Sequence, residues 1–131
     1  MLLIKGDLHK DNRGIVRFVN DFDMQNVVRM YCIEPQLGII RAWQGHKKET
    51  KWFFAVKGSF VVKVVNMKTN LLNKFILTDL ESNIIEIPGG NYNGFEALEE
   101  GSVLMVYSDF TTPQSKEDDF RLSLDELDWG I

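Results

Sequence analysis

The 131-residue sequence has few of the residues that form disulfides and metal sites, because it contains one cysteine, Cys32, and two histidines. A single cysteine excludes an internal disulfide and, without a second cysteine nearby, also a thiolate metal site. An excess of basic residues is missing too, since 15 Lys and Arg residues stand against 19 Asp and Glu residues, for a net charge of -4. Binding along a nucleic acid requires a basic surface, so we expect no nucleic-acid partner.

Long apolar segments are also missing. No window approaches the ~20 apolar residues that a membrane helix needs, and the apolar start at residues 1–4 is far too short for a signal-peptide core. We therefore expect no membrane contact and a cytoplasmic protein. Hydrophobic residues make up 44% of the chain and charged residues 26%, which is typical of a globular protein. The length predicts one domain, residues 1–131.

Short apolar runs rich in Val, Ile and Phe recur along the chain with a period of two, and Gly, Asn or Asp separates them about every ten residues. This pattern predicts an all-β protein in which the strands form a double-sheet jelly roll. After Thr112 the sequence becomes polar and acidic, and residues 123–127 carry the capping signal of one short helix on the outside of the barrel. We predict nine strands, near residues 15–20, 27–34, 38–44, 51–56, 60–66, 72–77, 83–87, 91–96 and 102–108.

The segment 41–58 has the spacing of a cupin metal motif without its ligands. The positions that carry two histidines and a glutamate in that motif hold Gln44, His46 and Lys51, and residues 88–93 stand at the second motif. One histidine is too few for a transition metal, and a lysine ammonium would repel the cation. The chain thus resembles a jelly-roll cupin, or double-stranded β-helix. We expect no metal and no other cofactor, and a metal-dependent dioxygenase or isomerase is disfavoured.

A more specific resemblance is carried by segments in a fixed order, namely residues 11–14, 38–42, 51–58, 87–95 and 107–110. In these segments the chain is similar to the dTDP-4-dehydrorhamnose 3,5-epimerases and the dTDP-4-keto-6-deoxyhexose 3,4-ketoisomerases. Both are metal-free cupins that act on nucleotide-linked keto sugars. The resemblance implies a nucleotide-sugar isomerase of surface polysaccharide synthesis, such as the dTDP-rhamnose pathway, and a homodimer.

The resemblance also implies roles for individual residues. Arg41 and Lys51 match the cationic pair beside the sugar and its diphosphate in the epimerases. Arg13 matches an arginine that reaches the diphosphate, often across a dimer interface, and we assign Arg29 to the diphosphate as well. His46 matches the second of two active-site histidines in the ketoisomerases. The implied partner is a dTDP-linked 4-keto-6-deoxy sugar.

Three departures fall on the residues that move protons in the family. Gln44 stands at the position of the catalytic histidine of the epimerases, and Asn93 replaces a second active-site histidine. Phe110 or Thr111 replaces the tyrosine that acts as the catalytic acid. An amide keeps hydrogen bonding but cannot act as a base near pH 7. The residues for binding are therefore retained, while those for catalysis are changed.

Two functions remain open. An isomerase would use His46 as the base, Tyr92 as the acid, and Lys51 and Arg41 as electrostatic stabilisers, with substrate contacts from Gln44, Trp43 and Asn93. The alternative is a cupin that binds a sugar or nucleotide sugar and has lost the acid-base residues. Strict alternation adds a geometric condition, because it separates Arg41 and Trp43 from Gln44 and His46 unless the strand is bulged.

Overall fold

The computed structural model describes residues 2–130, which form three antiparallel sheets and one short helix, α1 (Thr112–Lys116). None of its helices is long and apolar enough to cross a membrane. The strands are β1 (Leu2–Lys5), β2 (Asp7–Asp11), β3 (Gly14–Phe18), β4 (Arg29–Ile33), β5 (Ile40–His46), β6 (Lys51–Lys57), β7 (Ser59–Asn66), β8 (Leu72–Thr78), β9 (Asn83–Ile87), β10 (Asn91–Ala97), β11 (Val103–Ser108) and β12 (Phe120–Arg121).

Two five-stranded sheets pack around one core. The first sheet has the order β1-β9-β6-β11-β4 and the second has the order β12-β5-β10-β7-β8, while β2 and β3 form a separate ribbon. Alternate residues of the central strands point into the space between the sheets, as the period of two requires. The buried core consists of Phe53, Ala55, Phe60, Val62, Val64, Leu77, Ile85, Ile87, Phe95, Ala97, Leu104 and Val106. The predicted all-β jelly roll is confirmed.

Each of the nine predicted strands is present, and three further strands were not predicted. The strands that the pattern missed are β1, the polar β2 and the two-residue β12. The helix prediction was wrong in position. Ser123 and Glu126 do form reciprocal capping hydrogen bonds, but the chain makes only a turn there. The helix instead begins after Thr111, which shares a capping box with Gln114.

A β-bulge in β5 decides which side chains face the interior. Asn93 of β10 lies opposite Gln44, but the next residue, Gly94, lies opposite Ala42. Trp43 is therefore the extra residue, and the alternation of β5 changes phase there. Arg41 and Gln44 consequently border the same interior cavity.

Trp43 holds the C-terminal segment against the second sheet. Its backbone N–H donates to the carbonyl oxygen of Leu122 over 3.1 Å, and its indole Nε1 donates to the carbonyl oxygen of Leu127 over 2.7 Å. Its ring lies 5.3 Å from that of Trp129, centroid to centroid. The Trp129 ring also receives the ammonium of Lys63 at 4.6 Å. The tail thus covers the outer side of the second sheet, as the sequence predicted.

Gly94 leaves room for this tail. A Cβ atom at this position would lie 2.6 Å from Cβ of Ala42 and 2.8 Å from the ring of Trp129. We expect Gly94→Ala to lower the free energy of unfolding by about 1–3 kcal/mol, because the tail must shift to relieve the overlap. Chemical denaturation measures the loss, and limited proteolysis after residue 121 reports release of the tail.

Gly130→Ala is the matched control for that substitution. Its Cβ atom would meet no atom closer than 3.6 Å, so stability and protease resistance should match the wild type. Equal behaviour of the two variants would contradict the proposed packing of the tail.

Candidate active site

A cavity of about 420 Å³ opens between the two sheets. Its apolar wall includes Ile33, Phe53 and Phe95. A second cavity, of about 380 Å³, lies between β1 and Trp52 and contains none of the predicted site residues. The polar side chains of the first cavity come from five strands and are Tyr31, Arg41, Gln44, Lys51, Asn93 and Arg121.

Lys51 is the first residue of β6 and is only 3% exposed. Its Nζ donates a hydrogen bond to Oε1 of Gln44 over 3.0 Å, and it lies 5.9 Å from the centroid of the Tyr31 ring. Burial lowers the pKa of Lys51 to about 8. The charge of Glu49 opposes this shift, and the charges of Arg29 and Arg121 add to it. At pH 7 about one chain in ten therefore carries a neutral amine, and the ammonium predominates.

Gln44 links Lys51 to the tail. Its Nε2 donates to Oδ1 of Asp119 over 3.2 Å, while its Oε1 accepts from Lys51. The same carboxylate oxygen of Asp119 accepts from Nε of Arg121 over 2.9 Å. These contacts fix the orientation of the amide, because the donor faces a carboxylate and the acceptor faces an ammonium.

His46 is 3% exposed and does not border the cavity. Its Nδ1 lies 2.6 Å from the carbonyl oxygen of Asp118, so Nδ1 carries the proton and donates it. Burial and the charge of Lys51 lower the pKa of His46, although the Asp118 carbonyl and Glu49 act in the opposite direction. The imidazole is thus neutral at pH 7, and its Nε2 has no hydrogen-bond partner within residues 2–130.

Arg29 neutralises a buried carboxylate behind the cavity. Its Nη2 lies 3.1 Å from Oε2 of Glu49, and the same oxygen accepts a hydrogen bond of 2.6 Å from Oγ of Ser108. Glu49 is 1% exposed, and its Oε1 lies 3.5 Å from Nδ1 of His46. The guanidinium of Arg29 therefore has a partner inside the fold and does not border the cavity. The assignment of Arg29 to a diphosphate gains no support from this placement.

Asp118 fixes the loop between β5 and β6. Its carboxylate accepts from the backbone N–H groups of Lys47, Lys48 and Glu49 over 2.8–2.9 Å. Burial acts to raise the pKa of Asp118, but these backbone hydrogen bonds outweigh it and lower the pKa below its usual value. The tail therefore holds both His46, through its backbone carbonyl, and the loop that follows it.

Two further predicted site residues, Tyr92 and Arg13, lie away from the cavity, and Trp43 borders it only with a buried ring. Tyr92 packs on Gly45 on the outer side of the second sheet, where a Cβ atom on Gly45 would lie 2.5 Å from its ring. It cannot supply an acid to the interior, so that assignment is corrected. Trp43 borders the cavity but is 1% exposed and packs against Trp129, which leaves no free face for a substrate ring. Arg13 lies at the exposed turn of the β2–β3 ribbon and pairs with Asp11 at 2.7 Å, away from the cavity of its own chain.

The sequence pattern missed two groups of residues that the fold adds to the site. Tyr31 of β4 borders the cavity, and burial raises the pKa of its phenol. It was assigned no role from the sequence. The other group comes from the tail, where no spacing signal marked its members, and consists of Asp118, Asp119 and Arg121.

Asn93 does face the cavity, and its Nδ2 has no partner within the described chain. In residues 2–130, no group of three or more His, Cys, Asp or Glu side chains is placed to hold a metal ion.

Two packed antiparallel sheets around an interior polar cavity define the cupin class of jelly roll. Among solved structures, the chain is similar to the RmlC epimerase of Mycobacterium tuberculosis, with a TM-score of 0.80, 19% identity, and coverage of 92% of this chain and 67% of that one. It is also similar to the dTDP-4-dehydrorhamnose 3,5-epimerase of Sulfolobus tokodaii, with a TM-score of 0.79, 23% identity, and coverage of 98% and 80%. The sugar 3,4-ketoisomerase QdtA of Thermoanaerobacterium thermosaccharolyticum, solved in complex with TDP, gives a TM-score of 0.76, 22% identity, and coverage of 97% and 91%.

Among curated proteins, a probable low-salt glycan biosynthesis epimerase of Haloferax volcanii is 24% identical over 144 residues, with coverage of 94% of this chain and 88% of that protein. No family model matches the chain. The resemblance inferred from the sequence is confirmed, since the chain has the cupin fold of the nucleotide-sugar epimerases and ketoisomerases.

The buried charge of Lys51 predicts a pH-dependent cost to stability. Its pKa falls from 10.5 to about 8 on folding, so the unfolded chain binds more protons in this window and stability rises with pH through it. Below the folded pKa the cost is fully present. We expect Lys51→Met to raise the free energy of unfolding at neutral pH by up to about 3 kcal/mol, and the gain to shrink above about pH 8.

Urea denaturation across this pH range measures the effect. Lys68→Met, in the exposed turn after β7, is the matched control and should be neutral at every pH. A gain for Lys51→Met that does not change with pH would contradict the assigned cause.

Proposed function

We propose that the cavity binds a dTDP-linked or similar 4-keto-6-deoxy sugar, and that the protein moves a proton on the carbon next to the ketone, as an epimerase or a 3,4-ketoisomerase. The observation that carries this proposal is the set of three cations, Arg41, Lys51 and Arg121, that face one interior cavity. The likeness to solved nucleotide-sugar epimerases and to QdtA supports the choice of ligand.

The charges of the cavity suit a nucleoside diphosphate. Asp119 pairs with Arg121, but within residues 2–130 neither Arg41 nor Lys51 has a carboxylate at ion-pair distance. A diphosphate would supply the missing negative charge, and guanidinium groups bind phosphate oxygens through two parallel hydrogen bonds. The same cationic side chains could also polarise a ketone, because a positive charge stabilises the negative charge that develops on the ketone oxygen.

The apolar side of the cavity suits the sugar. Phe53 and Phe95 border it, and Arg41 lies 6.0 Å from the centroid of the Phe95 ring. The volume of about 420 Å³ is in the range of small-molecule sites. A deoxygenated carbon and one face of a pyranose ring would lose little hydration against such a wall.

We also propose that the protein is a cytoplasmic homodimer. Large apolar side chains are exposed on the β2–β3 ribbon and around the edge strand β4, which indicates an interaction surface. In a dimer the exposed Arg13 of the ribbon could reach a partner's cavity, which it does not reach in its own chain. The exposed apolar residues are Leu8, Ile15, Val16, Phe18, Val28 and Met30.

The second candidate function is a binding protein without catalysis. It is favoured by the two amides, Gln44 and Asn93, at positions where the family has histidines, and by His46, which lies behind the cavity wall. The two functions share the ligand and differ in proton transfer.

One sample can separate them. TDP and TDP-4-keto-6-deoxyglucose are added to the pure protein, the melting temperature is followed, and NMR detects solvent deuterium entering the sugar. A ligand that binds only the folded state stabilises it by about 2.7 kcal/mol at a hundredfold excess over Kd. Stabilisation with exchange indicates an isomerase, and stabilisation without exchange indicates a binding protein. No stabilisation at millimolar ligand would reject both.

The cations that border the cavity are expected to contribute to TDP binding, which a single substitution can test. We expect Arg41→Gln to weaken TDP binding by roughly 10- to 100-fold, since a hydrogen bond from a charged group contributes about 1.5–3 kcal/mol. Calorimetric titration measures the change. Lys68→Gln removes one positive charge at the exposed turn after β7 and should leave the affinity unchanged. Equal affinities of the two variants would contradict a role for Arg41.

A further inference from the structure

Few groups on the cavity wall can exchange a proton near neutral pH. Of the described residues that border it, those with ionisable side chains are Tyr31, Arg41, Lys51 and Arg121. Arginine does not lose its proton in proteins, and burial raises the pKa of Tyr31, so that its phenol stays protonated. Lys51 is the side chain that remains.

His46 is less well placed for this chemistry. It is buried, does not border the cavity, and donates its Nδ1 proton to the carbonyl oxygen of Asp118. Its Nε2 could accept a proton, but the ring is 3% exposed and does not border the cavity, whereas Gln44 and Lys51 do. His46 therefore helps to hold the site in place through its hydrogen bond to Asp118.

The surroundings of Lys51 favour a neutral amine. It is 3% exposed, and its hydrogen bond goes to the neutral amide of Gln44. Within residues 2–130 no carboxylate lies at ion-pair distance from its Nζ. A lysine that is desolvated and close to other cations becomes a base or nucleophile near neutral pH.

From this geometry we propose that Lys51 is the base that removes the proton next to the sugar ketone, and that Tyr31 is the acid that donates to the developing oxyanion or returns a proton to carbon. This inference rests on the proposed function of the cavity. It replaces His46 and Tyr92 in the catalytic roles that the sequence suggested.

The step balances without a redox partner. The lone pair of neutral Nζ takes the proton from carbon, the electrons of the C–H bond form the enolate, and Lys51 becomes an ammonium. The guanidinium of Arg41 and the hydroxyl of Tyr31 stabilise the enolate oxygen. The Lys51 ammonium then returns a proton to carbon, which regenerates the ketone and the neutral amine. Where Tyr31 gives this proton instead, the Lys51 ammonium reprotonates its phenolate, so both groups end as they began. Solvent deuterium enters the sugar when the ammonium exchanges before the return.

The rate should therefore follow deprotonation of Lys51. Glu49 and Asp119 favour its ammonium form, and Arg29 and Arg121 favour the amine. A bound diphosphate, with its negative charge, would favour the ammonium. Deuterium exchange should rise as the pH increases towards and through the pKa of Lys51 in the complex.

The test compares Lys51→Arg with the exposed control Lys68→Arg. Arginine keeps the positive charge but cannot act as a base, so we expect TDP binding within about threefold of wild type and a loss of deuterium exchange of roughly 10²- to 10⁴-fold. The control should match wild type in both. A purely electrostatic role for Lys51 would instead leave exchange in place, because the charge is kept.

A second variant restores an amine. In a Cys32→Ser background, Lys51→Cys is alkylated with 2-bromoethylamine, which rebuilds a chain of the same length with a less basic amine. Cys32 is exposed and must be removed first. We expect exchange to return and its pH profile to shift to lower pH. TDP-dependent stabilisation shows in each case that the protein is folded.

The outcomes separate the two proposals. If wild type does not bind TDP, the proposed function and this inference both fail. If wild type binds TDP but shows no exchange at any pH, the base assignment is rejected and a binding protein remains. If Lys51→Arg binds TDP and exchanges at the wild-type rate, or if the rebuilt amine binds TDP without restoring exchange, the role of Lys51 is rejected while the nucleotide-sugar site stands.

Discussion

The attachment of the C-terminal segment to Trp43 is the interaction on which the site depends. Trp43 pairs with Leu122 through both backbone groups and holds the carbonyl of Leu127 through its indole N–H. The segment on either side of these contacts brings Asp118 to the loop after β5 and Asp119 to Gln44, and it places Arg121 at the cavity. Without the bulge at Trp43, the strand could not present its backbone to the tail and also point Arg41 inward.

The charged side chains between the two sheets form two layers, and the layers differ in whether their charges are paired. The deeper layer is neutralised, because Glu49 is paired with Arg29 and bonded to Ser108. At the cavity wall the buried Lys51 and the exposed Arg41 have no carboxylate partner among residues 2–130. Burying an unpaired charge costs stability, which the lowered pKa of Lys51 expresses. Binding of the proposed anionic ligand would offset this cost.

Much of the fold could be predicted from the sequence, because alternation and turn residues report directly on strands that are half in the core. The period of two located β6, β7 and β10 to within about two residues. It failed where the period itself breaks, since one inserted residue at Trp43 changes the face of every residue before it. Tyr92 is a different case, because it and Asn93 are adjacent on β10 and face opposite sides of the sheet, so only one of the two could border the cavity. The role of the tail was beyond reach because contacts such as Gln44–Asp119 join residues far apart in sequence.

Gln44 stands where the similar epimerases have a histidine, but its amide cannot transfer a proton. Gln44 accepts from Lys51 and donates to Asp119, so it connects an amine to a carboxylate and holds both in place. A histidine there could exchange a proton with its neighbours, whereas an amide transmits orientation only. In the proposed mechanism the base is Lys51, which the amide of Gln44 positions at the cavity. The amide at position 44 and the desolvation of the lysine are then two parts of one arrangement, in which binding and proton transfer use the same cations.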